Sequence, residues 1–202
     1  MKKFITLALA LCMALSASVC AYAAEIDTDG GSGSTPVYLS STEDGTMEGE
    51  PSATAMSVTV PTALPMAMSQ TGDVTTADNC QIINNSYGAV RVKSVTISAE
   101  NGWRLTAFGD KSTLASEKVD SNQLGFAICI GDGEWAVTDN SDESAQALIS
   151  APIAGCYMSG AGNTSGNTVS VDYSAIVTPL STPVTNANIA NVVFVIEWDT
   201  AA

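Results

Sequence analysis

The sequence predicts an all-β fold: an antiparallel β-sandwich with Greek-key or jelly-roll connections. Three observations carry this. Apolar residues alternate with a period of two from about residue 55 onward, β-branched residues crowd those runs, and Gly/Pro/Asn/Asp/Ser clusters break them at short intervals. No 3.6-residue period competes with the pattern, and Val, Ile and Thr are stiff side chains that favour a pleated surface. About nine or ten short strands result, with at most one or two short helices.

In chain order, Met56, Val58 and Val60 share a face up to Pro61, and Leu64, Met66 and Met68 follow in the same phase. Residues 69–79 read as a turn cluster, and Cys80-Gln81-Ile82-Ile83 as a short strand ended by Asn84-Asn85-Ser86-Tyr87-Gly88. Val90 and Val92 lie on one phase and Val95, Ile97 and Ala99 on the other, which predicts a β-bulge at Lys93-Ser94. Asn101-Gly102 is a turn pair leading to Trp103-Arg104-Leu105-Thr106-Ala107. The unbroken apolar run Leu124 to Ile130 reads as a central strand covered on both faces. Gly131-Asp132-Gly133-Glu134 turns into Trp135-Ala136-Val137. Asn140 to Leu148 suits a short helix or the start of a strand, and residues 155–167 suit a loop. Alternating Val169, Val171, Tyr173, Ala175 and Val177 form a further strand, and Asn191 to Trp198 closes the domain.

The region ahead of residue 55 has a different composition. Lys2 and Lys3 precede an apolar run from Phe4 to Leu15, and Ala21-Tyr22-Ala23 has the small-x-small pattern of a signal peptidase site. Residues 1–23 are therefore expected to be a signal peptide cut after Ala23, or alternatively after Ala24. A lipoprotein would carry its lipid on Cys20, but Ala17-Ser18-Val19 lacks the small residue that should precede it. Residues 24–54 read as a flexible acidic Gly/Ser-rich linker that lacks the apolar content to offset its ordering entropy. One strand-like island, Thr35 to Ser40, interrupts it. Residues 55–202 are the sandwich domain. The expected product is secreted, extracellular or surface-associated, with no membrane span in the mature protein.

Charge and composition remove whole classes of function. Seven basic residues face twenty-one acidic ones, a net charge of −14; losing Lys2 and Lys3 leaves five against twenty-one, or −16. A nucleic-acid partner would need the opposite sign. With no His, imidazole-based triads and His-held zinc are excluded. Neither an S-x-x-K nor a G-x-S-x-G is present to activate a nucleophile, so the chain is read as non-enzymatic with no catalytic residues and no cofactor. Beyond the signal peptide three cysteines remain. Cys80, Cys129 and Cys156 fit either one disulfide plus a free thiol or three buried thiols, with Cys129 a small core hydrophobe.

Three segments carry a family resemblance. Val58-Thr59-Val60-Pro61 opens the domain, Asn101-Gly102-Trp103-Arg104-Leu105-Thr106-Ala107 sits in its middle, and Val195-Ile196-Glu197-Trp198 ends it. This order resembles the WxL-type surface domains of low-GC Gram-positive bacteria, which begin on V-x-V-P and carry two W-x-L strands. Trp103 and Leu105 match the first W-x-L. The second is broken, because Asp199 and Thr200 follow Trp198. The resemblance implies non-covalent association with cell-wall polysaccharide, peptidoglycan or other surface proteins. The chain is also similar to secreted fibre-forming proteins of the TasA/camelysin kind, which implies matrix assembly. Self-assembly by donation of the N-terminal segment to a neighbour's sheet edge would be one route.

Few side chains suggest binding chemistry. Of the three tryptophans, Trp103 and Trp198 lie in or beside apolar strands and are expected at the core or its rim. Trp135, flanked by Glu134 and Asp132 in a Gly-rich turn, is the one expected to be exposed, where its ring would stack on a sugar face. The acids around it, with Asp139, Asp142 and Glu143, are the densest oxygen cluster and the candidate for Ca²⁺. Solvated loop charge explains them equally well.

Overall fold

The structure is a computed structural model that describes residues 22–25, 29–36, 55–69, 71–141, 143–163 and 165–200, with the strands at 22–25 and 32–36 described by backbone alone. Its strands are β1 (Tyr22–Glu25), β2 (Ser32–Pro36), β3 (Val58–Pro61), β4 (Met66–Met68), β5 (Val74–Thr76), β6 (Gln81–Asn84), β7 (Val90–Ala99), β8 (Arg104–Thr106), β9 (Gln123–Ile130), β10 (Ala136–Val137), β11 (Ala145–Ile149), β12 (Tyr157–Met158), β13 (Thr168–Val177) and β14 (Ala190–Trp198). One short helix, α1 (Lys111–Ala115), lies between β8 and β9.

The protein is an all-β sandwich. One sheet runs β1-β3-β6-β13-β9-β10, with β8 beside β9; the other runs β11-β7-β14-β2, with β12 also on β7; β4 and β5 form a separate hairpin. Among the described residues every pair is antiparallel except β8 with β9. Neighbours such as β6 and β13, or β7 and β14, are far apart in sequence, as the long return connections of a Greek key require.

Alternation builds the core. Ala190, Val192, Phe194 and Ile196 of β14 point inward with Val90, Val92, Val95 and Ile97 of β7. Leu124, Phe126, Ile128 and Ile130 of β9 meet them from the opposite sheet with Val171 and Tyr173 of β13. Each Val, Leu, Ile and Phe among them contributes roughly 1.5–3 kcal/mol of burial. The expected bulge is present: Val195 pairs with Ser94 and Ile196 with Val92, so Lys93 is the extra residue. This slip keeps valines on the core side before and after it.

Several segments differ from expectation. Residues 69–79 contain β5, and the loop at 155–167 contains β12. The open choice at 140–148 resolves to a strand, β11, because Ala145–Ile149 pairs antiparallel with Val95–Ser98 of β7; Gln146 also folds back to donate to and accept from the backbone at Asp139. Helix α1 is capped by the Asp110 carboxylate, which accepts from the Ser112 N–H at 2.9 Å. Within the stretch read as a linker, β2 pairs through its backbone with Asn191–Val195 of β14. The island's Thr35 and Pro36 belong to β2, and its residues 37–40 lie outside the described residues. Strand β1 spans the expected cleavage junction and pairs with Thr59–Pro61. The remainder of the expected signal peptide lies outside the described residues.

The cysteines require a correction. Cys80 is disulfide-bonded, whereas Cys129 and Cys156 are free and buried, so neither expected arrangement of these three holds. Cys129 alternates with core-facing Ile128 and Ile130 and therefore faces away from the core, which Cys156 joins. Burial pushes both free thiols above their ordinary pKa.

Candidate functional site

Trp135 lies where the sequence suggested, on the turn between β9 and β10 at the edge of its sheet, and it is 53% exposed. Val137, two residues on, is 48% exposed, and Asp132 and Glu134 are exposed as well. An exposed Trp is informative only if its backbone is held, and here it is. The turn crosses the segment before β12 at Gly133 and Gly155. A Cβ on Gly133 would stand 2.4 Å from the Ala154 carbonyl oxygen, and one on Gly155 would stand 2.2 Å from that of Ile130. Gly155 also has φ +90°, a conformation that L side chains rarely adopt. Only two bare backbones approach this closely.

Hydrogen bonds fix the rest of the turn. Gly133 N–H donates to Ile130 O at 3.0 Å and Gly131 N–H to Ser170 O at 2.8 Å. Beneath the tip, the Cys129 thiol approaches the Gly133 carbonyl at 3.2 Å. Beyond β10, the buried Thr138 hydroxyl donates to Thr106 O at 2.6 Å and accepts from Phe126 N–H at 2.8 Å. The tip that carries Asp132, Glu134 and Trp135 is thus anchored at both ends.

The same crossing places a residue that sequence reasoning missed. Two positions after Gly155 comes Tyr157 on β12, 47% exposed and paired across the sheet with Arg91 of β7. Glu197 of β14 is the partner of Arg91 on its other side. Arg91 Nε donates to Glu197 Oε1 at 2.8 Å, Nη1 reaches Asp199 Oδ1 at 3.4 Å, and Lys93 Nζ lies 3.1 Å from Glu197 Oε2. The bulge turns Lys93 toward this row. Lys93 and Arg91 together hold the Glu197 carboxyl below its ordinary pKa. Tyr157 gave no signal in the sequence because it sits in a Gly/Ser-rich stretch with no strand pattern.

The WxL-like residues do not converge. Leu105 is buried in β8, and Trp103 is half-buried beyond the Asn101-Gly102 turn that follows β7. Trp198 pairs with Val90 at the other end of β7, so the two tryptophans lie toward opposite ends of that ten-residue strand. Both pack on the edge of the core. Among the described residues, no group of three or more His, Cys, Asp or Glu is placed to hold a metal ion. Asp142 of the acidic cluster lies outside them. No helix among the described residues is long and apolar enough to cross a membrane. No family model, no curated protein and no solved structure matches this chain.

Proposed function

We propose that the chain is a non-enzymatic protein of the cell surface or extracellular matrix that acts by contact, in wall association, adhesion or assembly. The observation that supports this best is the rigid presentation of Trp135 at a sheet edge, where burial would be the ordinary fate of a Trp. The apparent signal peptide and the V-x-V-P and G-W-x-L segments agree with it. Incubation of the purified chain with insoluble peptidoglycan, followed by sedimentation, tests the reading. The chain is expected in the pellet and is expected to be depleted from the pellet by Trp135→Ala. A chain that stays in the supernatant would overturn wall association.

A specific observation favours a second reading, assembly by strand donation. Strand β2 is Ser-Gly-Ser-Thr-Pro and holds the β14 edge through backbone pairing. A strand of this kind is exchangeable with the same strand of a neighbour, which would build a fibre. Deletion of residues 29–36 is then expected to abolish high-mass species in light scattering. Unchanged assembly would dispose of the idea.

A further inference from the structure

We infer that the sandwich edge carrying β10 and β12 is an extended glycan-binding platform with two stacking positions, Trp135 and Tyr157. The inference rests on the contact reading above and names its partner. Its basis is the glycine crossing. Gly133 and Gly155 are in contact, since a Cβ on Gly155 would lie 2.7 Å from Gly133 N. Each glycine stands two residues before a half-exposed aromatic. Two residues of extended chain on either side of that contact put the two aromatic Cα atoms no more than about 20 Å apart. Within that limit an oligosaccharide of several units reaches both rings at once, whereas a disaccharide does so only at the shortest separations.

The chemistry around the rings selects the ligand. Tyr and Trp offer flat apolar faces at little conformational cost, suited to the C–H faces of pyranose rings. Beside Tyr157, the Arg91 guanidinium is fixed by Glu197 and Asp199 and retains further N–H donors for hydroxyl groups. Beside Trp135, the exposed carboxylates of Asp132 and Glu134 are acceptors for hydroxyl hydrogens. The two cations, Arg91 and Lys93, are matched by the two anions Glu197 and Asp199, and the chain as a whole carries −14. Anionic polymers are repelled, and hydroxyl-matching donors and acceptors beside flat apolar rings suit an uncharged glycan. A peptide docking on an apolar groove fits less well, because polar glycine backbone lies between the rings.

The test is calorimetric titration of the full chain with chitohexaose and chitobiose, and with cellohexaose and cellobiose. In at least one series the hexamer is expected to bind ten times or more tightly than the dimer. Trp135→Ala and Tyr157→Ala are each expected to lower hexamer affinity tenfold or more and to erase the length dependence. Both residues are exposed, so thermal unfolding of the variants should match the parent and separate lost binding from lost folding. No binding in either series, equal binding of hexamer and dimer, or binding indifferent to both substitutions would overturn the platform. Sedimentation of the parent chain with peptidoglycan distinguishes the two levels. A parent chain that pellets but binds neither oligosaccharide series removes this site and leaves the contact function, whereas a parent chain that fails both assays removes both.

Discussion

Trp198 closes over Gly88: a methyl group at Gly88 would stand 2.8 Å from Cζ3 of the indole and 3.2 Å from Cε3. Gly88 ends the turn before β7, and Trp198 is the last residue of β14, opposite Val90. The ring thereby seals one end of the core where two strands of one sheet terminate together. Gly88→Ala is expected to cost about 1–3 kcal/mol through overpacking. Trp198→Phe removes the atoms that clash, so the double variant should be more stable than the sum of the single effects predicts. Urea midpoints of the four proteins check this. Strict additivity would mean that the ring moves freely aside.

Tyr173 predicts an alkaline limit to stability. Its hydroxyl donates to Pro65 O at 2.6 Å and accepts from Ala77 N–H at 3.0 Å, tying two loop segments to β13. Burial pushes its pKa from 10 up to about 12. A phenol whose folded pKa is raised contributes stability that is whole below pH 10 and is lost as pH rises through 12. The span corresponds to roughly 3 kcal/mol. Tyr173→Phe is expected to cost about 1–3 kcal/mol near neutrality by leaving the Ala77 N–H unpaired. It should also flatten the decline in urea midpoint between pH 9.5 and 11.5. The same decline in parent and variant would assign it to other groups.

The two free thiols differ from a reactive pair in a measurable way. Cys156 has no exposed surface and faces the core, while Cys129 is 7% exposed on the other face of β9, beneath the Gly131–Gly133 turn. Their raised pKa values deepen this inertness, because the thiolate is the nucleophile. Iodoacetamide at pH 8 should modify neither in the native protein and both in urea, as read by mass spectrometry. Mild oxidation should not join them. A native Cys129–Cys156 disulfide would mean that β9 does not hold its two faces apart.

What the sequence made legible follows from which forces act locally. The long strands β7, β9, β13 and β14 were readable because each buries one face, or both, and burial writes a period of two into the residues. The Lys93 bulge was readable for the same reason, since a phase slip between Val92 and Val95 has no other use. Trp135 was readable as exposed from its Gly and acidic neighbours. The short strands β5 and β12 were not, because two or three residues carry no period; backbone pairing supplied by distant segments makes them strands. Strand β2 is the extreme case, its Ser-Gly-Ser-Thr-Pro composition being that of a linker. The candidate site was half legible: Tyr157 joins Trp135 only through the contact of Gly133 with Gly155, residues twenty-two positions apart.

That contact is the most sensitive point of the site. Gly155→Ala places a Cβ 2.2 Å from Ile130 O and demands a left-handed residue with a side chain. Backbone strain adds about 1–2 kcal/mol and the clash about 1–3 more, so a loss of roughly 2–5 kcal/mol is expected. The loss should be accompanied by release of the turn. Gly133 N–H and the Cys129 thiol both depend on the turn keeping its place over β9, so opening it exposes Cys129. Gly155→Ala should therefore render Cys129 reactive to iodoacetamide in otherwise folded protein, while Cys156 stays protected on the core side. Trp135 should become more mobile in time-resolved fluorescence anisotropy of a Trp103→Phe/Trp198→Phe background. If Gly155→Ala unfolds at the parent's urea concentration and leaves Cys129 unreactive, the crossing neither clamps the turn nor positions Trp135.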